Sequence, residues 1–208
     1  MIYNIKLEKM VIGDYLNILG SKNPVPGGGS VSGITATQGV ALVLMVLDLT
    51  LKKEKYKEYE EKNQKLNDQA KELFERIRKA ADADVEAFSK VAEAYKLPKD
   101  DPTKKIKIGE YSLGATQVPF DLMKMCLEGC EITEQLVGKS NKTAASDLAV
   151  AAFCFESAAK SAWLNVKINL NYILNDDDKE MFEEEGKKTL KKVIKSAKKI
   201  SEAVEENL

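Results

Sequence analysis

Residues 23–30 read NPVPGGGS, and residues 31–47 continue as VSGITATQGVALVLMVL without one charged side chain. Two prolines and three successive glycines cannot prolong a helix, so the chain turns here and begins a new one. Ser30 is a suitable N-cap, and the helix is expected to run to about Leu51. A turn this bare beside a segment this apolar has two readings. It is a plain turn into a buried helix, or it is the floor of a pocket where backbone N–H groups meet a carboxylate or carbonyl oxygen. Ser32, Thr35, Thr37 and Gln38 interrupt the apolar run, which falls short of the roughly twenty strongly apolar residues of a membrane span. Gly29, Gly33 and Ala36 form a small-residue stripe that lets another helix come close. A central helix of a bundle accounts for both features.

Helical spacing governs the rest of the chain, with no strand alternation, repeat or long linker. A first helix is expected over Val11–Leu19, ending near Gly20, and a third over Lys53–Tyr95. The charged start of the third, KKEKYKEYEEKNQK (52–65), is expected to protrude into solvent. KLPKDDP (96–102) marks a loop, and a fourth helix spans Thr103–Val137 and closes at Gly138. Pro119 inside it removes the hydrogen bond to carbonyl 115 and should kink or split the helix near Gln117. KSNKTAASD (139–147) leads into a fifth helix reaching Leu174, NDDD (175–178) is a loop, and a last helix covers Lys179–Glu205. The fold class is all-α: a single-domain multihelical bundle with long helices over residues 1–208.

Composition narrows the chemistry. A formal net charge of -1 gives no general attraction to nucleic acid or to an acidic membrane, so neither is an expected partner. The lysine run KKTLKKVIKSAKK (187–199) reads as the wet face of the last helix. With no histidine, Ser-His-Asp and Cys-His catalysis and the common metal-hydrolase sites are excluded. Acid–base work falls to Asp, Glu, Lys, Tyr or Cys. Cys126, Cys130 and Cys154 read as free thiols of a reducing compartment, and no secretory signal is evident, so a cytoplasmic location is expected.

Two places hold polar groups where a core is due. Along the third helix, Leu66, Leu73, Ala80 and Ala87 form one seven-residue stripe, and Ala70, Ile77, Asp84 and Val91 form another. Asp84 thus takes a core position, where a carboxylate needs a partner or a ligand. On the fifth helix, Asp147, Ala151, Cys154, Ala158, Asn165 and Asn169 share a face. Small side chains with polar groups at both ends suggest a groove wall, although Asp147 could equally be a first-turn acid favoured by the helix dipole.

The motifs PVPGGGSVSG, DADVEAF followed by LPKD, ATQVP, NKTAASD and NVKINL occur in one order from about Leu16 to Leu174. In this they resemble the cyclodeaminase half of formiminotransferase–cyclodeaminase, a family that includes stand-alone methenyltetrahydrofolate cyclohydrolases. PGGGS is the most specific element. The sequence departs from the common pattern at Ser140-Asn141-Lys142 and at Lys167, where many members carry arginine. The resemblance implies an all-helical homodimer acting on a tetrahydrofolate derivative, with no cofactor beyond that substrate and no metal. It implies conversion of formimino-tetrahydrofolate to the methenyl form with loss of ammonia, or else hydrolysis of the methenyl form. On it, Asp147 and Asp84 are the expected catalytic carboxylates. Pro26, Gly27, Gly28, Gly29, Ser30, Asn165, Asn169 and Lys167 are expected to bind substrate, and the glycine turn becomes a pocket floor. A non-catalytic helical interaction protein is the competing class.

Overall fold

The computed structural model describes residues 7–208, and among these it contains six α-helices and no strand. They are α1 (Ile12–Leu19), α2 (Gly28–Asp48), α3 (Glu60–Tyr95), α4 (Lys104–Leu136), α5 (Ala145–Leu170) and α6 (Asp176–Glu205). Helix α5 is the axis of the bundle, with α2, α4 and α6 all packed against it. Its sequence explains that position. Ala151, Ala152, Ala158, Ala159 and Ala162 are fully buried, and such short side chains let three neighbours approach. The core runs through Val40, Val43, Leu73, Ile77, Met123, Leu148, Phe155, Phe182 and Ile200. Helix α2 is long and apolar enough to cross a membrane, and it packs one face against α3 and α5; it is half-buried, with Ala41 and Met45 exposed, so the central place expected for it belongs to α5.

The small-residue stripe of α2 meets α3. A Cβ on Gly33 would lie 2.6 Å from the Ala81 Cβ, so the two backbones touch only because Gly33 has no side chain. Both heptad stripes of α3 begin in the core, with Leu66, Leu73, Ala70 and Ile77 buried, and end half-buried at Ala80, Ala87, Asp84 and Val91. Towards its C-terminus, then, α3 leaves the core and borders a cavity.

Several boundaries differ from expectation. Helix α2 starts at Gly28 with Gly27 as N-cap, so Ser30 lies within its first turn, fully buried, instead of capping it. The third helix does not begin at Lys53: Lys52 takes a φ of 61°, a 3-10 helix covers Glu54–Tyr59, and α3 follows. That charged stretch is not simply solvent-bound, because Tyr56 is buried and its hydroxyl accepts from the Lys142 N–H at 3.1 Å. Helix α5 stops at Leu170, since Ile173 must turn back into the core. The acidic NDDD is not a loop. Asn175 caps α6 by accepting from the N–H groups of Asp177 and Asp178, and three aspartates sit where the helix dipole favours them. Gly138 does follow α4, at a φ of 74°.

Candidate active site

A cavity of about 450 Å³ opens where the glycine turn, the end of α3, the middle of α4 and the end of α5 converge. Gly27, Gly28 and Gly29 form its floor, Asp84, Phe88, Val91 and Tyr95 come from α3, Ala115 from α4, and Asn165, Ile168, Asn169 and Tyr172 from α5 and just beyond. The turn is therefore a pocket floor. Its Val25–Pro26 bond is cis, and Pro26 is buried behind the floor instead of lining the cavity.

Asp84 is the acidic side chain that lines this cavity. Its carboxylate rests on the Cα of Gly29, so closely that a Cβ there would fall 2.0 Å from Oδ1. Burial pushes its pKa up to about 6, and the hydroxyl and N–H of Ser30 pull in the other direction without cancelling that shift. Ser30 Oγ is itself fully buried and has no well-formed hydrogen bond among the described residues. A carboxyl titrating near neutrality, at the mouth of a helix N-terminus, can take a proton and return it.

The asparagines hold the opposite wall. Asn165 Nδ2 donates back to Ser161 O at 2.9 Å, which turns its amide toward Gly28. Asn169 Nδ2 donates to Ala115 O at 3.0 Å, across from α5 to α4. That bond explains an expectation that failed. Helix α4 continues through Pro119 without splitting, although proline cannot donate to carbonyl 115. Asn169 supplies the missing donor, so it has a structural duty as well as a place in the pocket. Asn169→Ala is expected to cost about 1–3 kcal/mol by leaving that carbonyl unpaired. Adding Pro119→Ala restores a backbone donor, and chemical denaturation should show the double variant losing less than the sum of the two single losses. Strict additivity would refute this account.

Four predicted residues do not line the cavity: Pro26 and Ser30 are buried next to its floor, and Asp147 and Lys167 lie elsewhere. Asp147 lies in the first turn of α5, and the eighteen residues to Asn165 separate them by about 27 Å along one axis. The shared face that put Asp147 and Asn165 in line also put them at opposite ends. Within one chain only the dipole role of Asp147 is realised, and the catalytic expectation is corrected. Lys167 points to solvent, its ammonium 6.0 Å from the Trp163 ring centroid, and is likewise outside the cavity.

The sequence reading missed the aromatic wall. Phe88, Val91 and Tyr95 extend the face of Asp84 at helical spacing, so the stripe already held that signal. Tyr172 had no local signal, because it follows the end of α5 and reaches Tyr95 only through the fold. Their rings meet edge-on at 6.1 Å, and burial, then the Tyr172 hydroxyl, raise the Tyr95 pKa. Among the described residues no three His, Cys, Asp or Glu side chains come together as metal ligands. Cys126 and Cys130 are buried free thiols, with Cys130 pushed up to about 12 chiefly by burial, whereas Cys154 is half-buried.

Comparison with known proteins gives this geometry a context. Residues 11–205 match the family model described as formiminotransferase-cyclodeaminase. The methenyltetrahydrofolate cyclohydrolase of Methylorubrum extorquens is 33% identical over 198 residues, 93% of each chain. The formimidoyltransferase-cyclodeaminase of Mus musculus is 29% identical over 80% of this chain, a match that takes up 31% of the mouse protein. In three dimensions the formiminotetrahydrofolate cyclodeaminase of Thermotoga maritima superposes with a TM-score of 0.87 at 25% identity, covering 95% of this chain and 97% of that one. The glycine floor and the carboxylate seated on it are thus part of a fold shared along nearly the whole chain, which belongs to the formiminotransferase-cyclodeaminase family.

Proposed function

We propose that this pocket closes the one-carbon unit of formimino-tetrahydrofolate into the methenyl bridge and releases ammonia. The observation that carries the proposal is Asp84: a carboxyl buried against a glycine floor, with its pKa raised to about 6. In this reaction the formimino group enters protonated, as an amidinium, and N10 attacks its carbon, forming the second C–N bond as the C=N double bond to the terminal nitrogen becomes single. Asp84 takes the proton from N10 and hands it to the amino group, and the C–N bond to that group breaks as ammonia leaves. The remaining methenyl carbon shares its positive charge with N5 and N10, and the nearby carboxylate stabilises that cation. Asn165 and Asn169 offer amide groups to the pterin edge, and the N–H groups of Gly28 and Gly29 face a polar group of the substrate. No cofactor beyond the tetrahydrofolate itself enters this scheme.

The full-length likeness to a cyclohydrolase favours a second reading. There Asp84 takes a proton from a water that attacks the methenyl carbon and returns it to the ring nitrogen whose C–N bond opens, while the adduct's hydroxyl proton passes to solvent as the C=O of formyl-tetrahydrofolate forms. Purified protein offered the formimino and methenyl compounds separately, with methenyl absorbance and ammonia followed together, distinguishes the two. Methenyl formation with stoichiometric ammonia supports the first reading. Methenyl loss above the spontaneous rate, without turnover of the formimino compound, installs the second. Inactivity on both, with no folate binding, returns the chain to the interaction-protein class.

We also propose a homodimer. Helix α5 turns Val150, Phe153, Leu164 and Ile168 outward, the last two 62% and 61% exposed, beside Met45 and Leu49 of α2. Ser157 and Ser161 lie between the two apolar ends of the α5 stripe, so a second copy can cross there closely and antiparallel. Such pairing would carry Asp147 of the partner subunit toward Ile168 and Tyr172 at the cavity mouth, a place it cannot reach in its own chain. Light scattering should give twice 23.1 kDa, and Leu164→Glu should give a folded monomer. A wild-type monomer at micromolar concentration would end the dimer proposal.

A further inference from the structure

Helix α2 carries four hydroxyl side chains near its start, Ser30, Ser32, Thr35 and Thr37. Ser32, Thr35 and Thr37 each donate to the carbonyl four residues back, at 2.8 Å. Ser30 does not. Its side chain is fully buried and its Oγ has no well-formed hydrogen bond among the described residues, a state that buried hydroxyls rarely keep. Expected from its motif to bind substrate, Ser30 lies behind the glycine floor and does not line the cavity.

Helix α2 also begins without a side-chain cap of its own, and its first helical bond runs from the Val31 N–H to Gly27 O at 3.0 Å. The N–H groups of Gly28, Gly29 and Ser30 precede that bond and need acceptors from elsewhere. Asp84 arrives from α3 at this point. All three atoms of its carboxyl group would lie within 2.3 Å of a Cβ on Gly29. The hydroxyl and N–H of Ser30 are the two groups that lower its pKa against burial. Asp84 thus caps α2 from another helix. No other charged side chain lines the cavity: α4 brings Ala115, α5 brings Asn165 and Asn169, and Tyr95 and Tyr172 are the remaining titratable groups.

We infer that Ser30 is a positioning residue for Asp84: its buried hydroxyl donates to one carboxylate oxygen and holds it against Gly29, leaving the other oxygen to take and return the substrate's proton. The inference rests on the functional reading above and adds a residue to it. Ser30 neither gains nor loses a proton in turnover. Its hydrogen bond favours the ionised carboxylate, so Asp84 stands ready as a base before the substrate arrives.

The test is the titration of the Asp84 carboxyl, read by NMR in protein labelled with carbon-13 aspartate and assigned by the signal missing from Asp84→Asn. The wild-type midpoint is expected at about 6, and Ser30→Ala should raise it by about one pH unit. Ser32→Ala removes a hydroxyl already spent on the Gly28 carbonyl and should leave the midpoint in place. In turnover of the folate substrate, the acid limb of kcat/KM in Ser30→Ala should move up with the titration. Activity at about pH 6.5 should fall at least about threefold, through kcat with KM within about twofold, and recover as pH rises. A midpoint unmoved by Ser30→Ala, or moved as far by Ser32→Ala, overturns the inference and leaves the functional reading standing. An equal loss of kcat at every pH, with the limb in place, makes Ser30 merely structural and overturns it too. Full activity in Asp84→Asn overturns the functional reading, and the role of Ser30 in turnover with it.

Discussion

Asp84→Asn is expected to lower kcat/KM at least about a hundredfold while the protein becomes more stable at neutral pH. The two effects have one source. The folded protein holds the Asp84 proton more tightly than the unfolded chain does, because burial raises the pKa from 3.8 to about 6. Below pH 3.8 the group is neutral in both states and costs nothing. The penalty for burying its charge grows between pH 3.8 and about 6 and is fully present above that, on the order of 1–3 kcal/mol at most. Asparagine never carries that charge, so the stability difference between variant and wild type should open across this window. Thermal melts at pH 4 and pH 7 measure it. The same titration should appear in catalysis: wild-type kcat/KM rises with pH through about 6 as the carboxylate forms, and the variant lacks that limb. Retained activity in Asp84→Asn would remove Asp84 from the reaction. Equal stability differences at the two pH values would remove its buried charge from the energetics.

The largest structural loss is expected from Phe155→Ala. Phe155 is fully buried on α5, and its ring lies between two glycines, Gly39 on α2 and Gly129 on α4. A Cβ on Gly129 would fall 2.6 Å from ring Cζ, and one on Gly39 would fall 2.9 Å from Cε1. The ring therefore fills the space that both glycines leave, and α2, α4 and α5 meet on it. Removing it takes away about 3–5 kcal/mol and should lower Tm by on the order of 10 °C. Gly129→Ala should destabilise by pushing the ring against Gly39, where it has no room to retreat. Phe155→Leu in that background should recover part of the loss, because the smaller side chain no longer fills the added methyl's space. A Phe155→Ala loss below about 1 kcal/mol would show that the three helices do not depend on this contact. Since α2 and α5 also carry Gly28 and Asn165, loosening this joint should blur the pocket and raise KM.

What the sequence determined by itself is the set of features that depend on near neighbours. Helical periodicity, the punctuation by Gly27–Gly29, Pro98 and Gly138, and the uncharged face of α2 established an all-α bundle and the place of its central turn. A carboxylate on an apolar stripe marked Asp84, because a heptad position implies burial before any partner is known. Boundaries failed where a distant contact outweighed local preference. Tyr56 is drawn inward to the start of α5, and α4 passes through Pro119 because Asn169, fifty positions further along, supplies the lost hydrogen bond. Only the tertiary structure decided which polar groups share a site. Spacing along a helix gives direction around its axis, but each residue also advances 1.5 Å along it. Asp147 and Asn165 therefore share a face yet stay about 27 Å apart, whereas Asp84, Gly29, Asn165 and Asn169, from three helices, converge on one cavity.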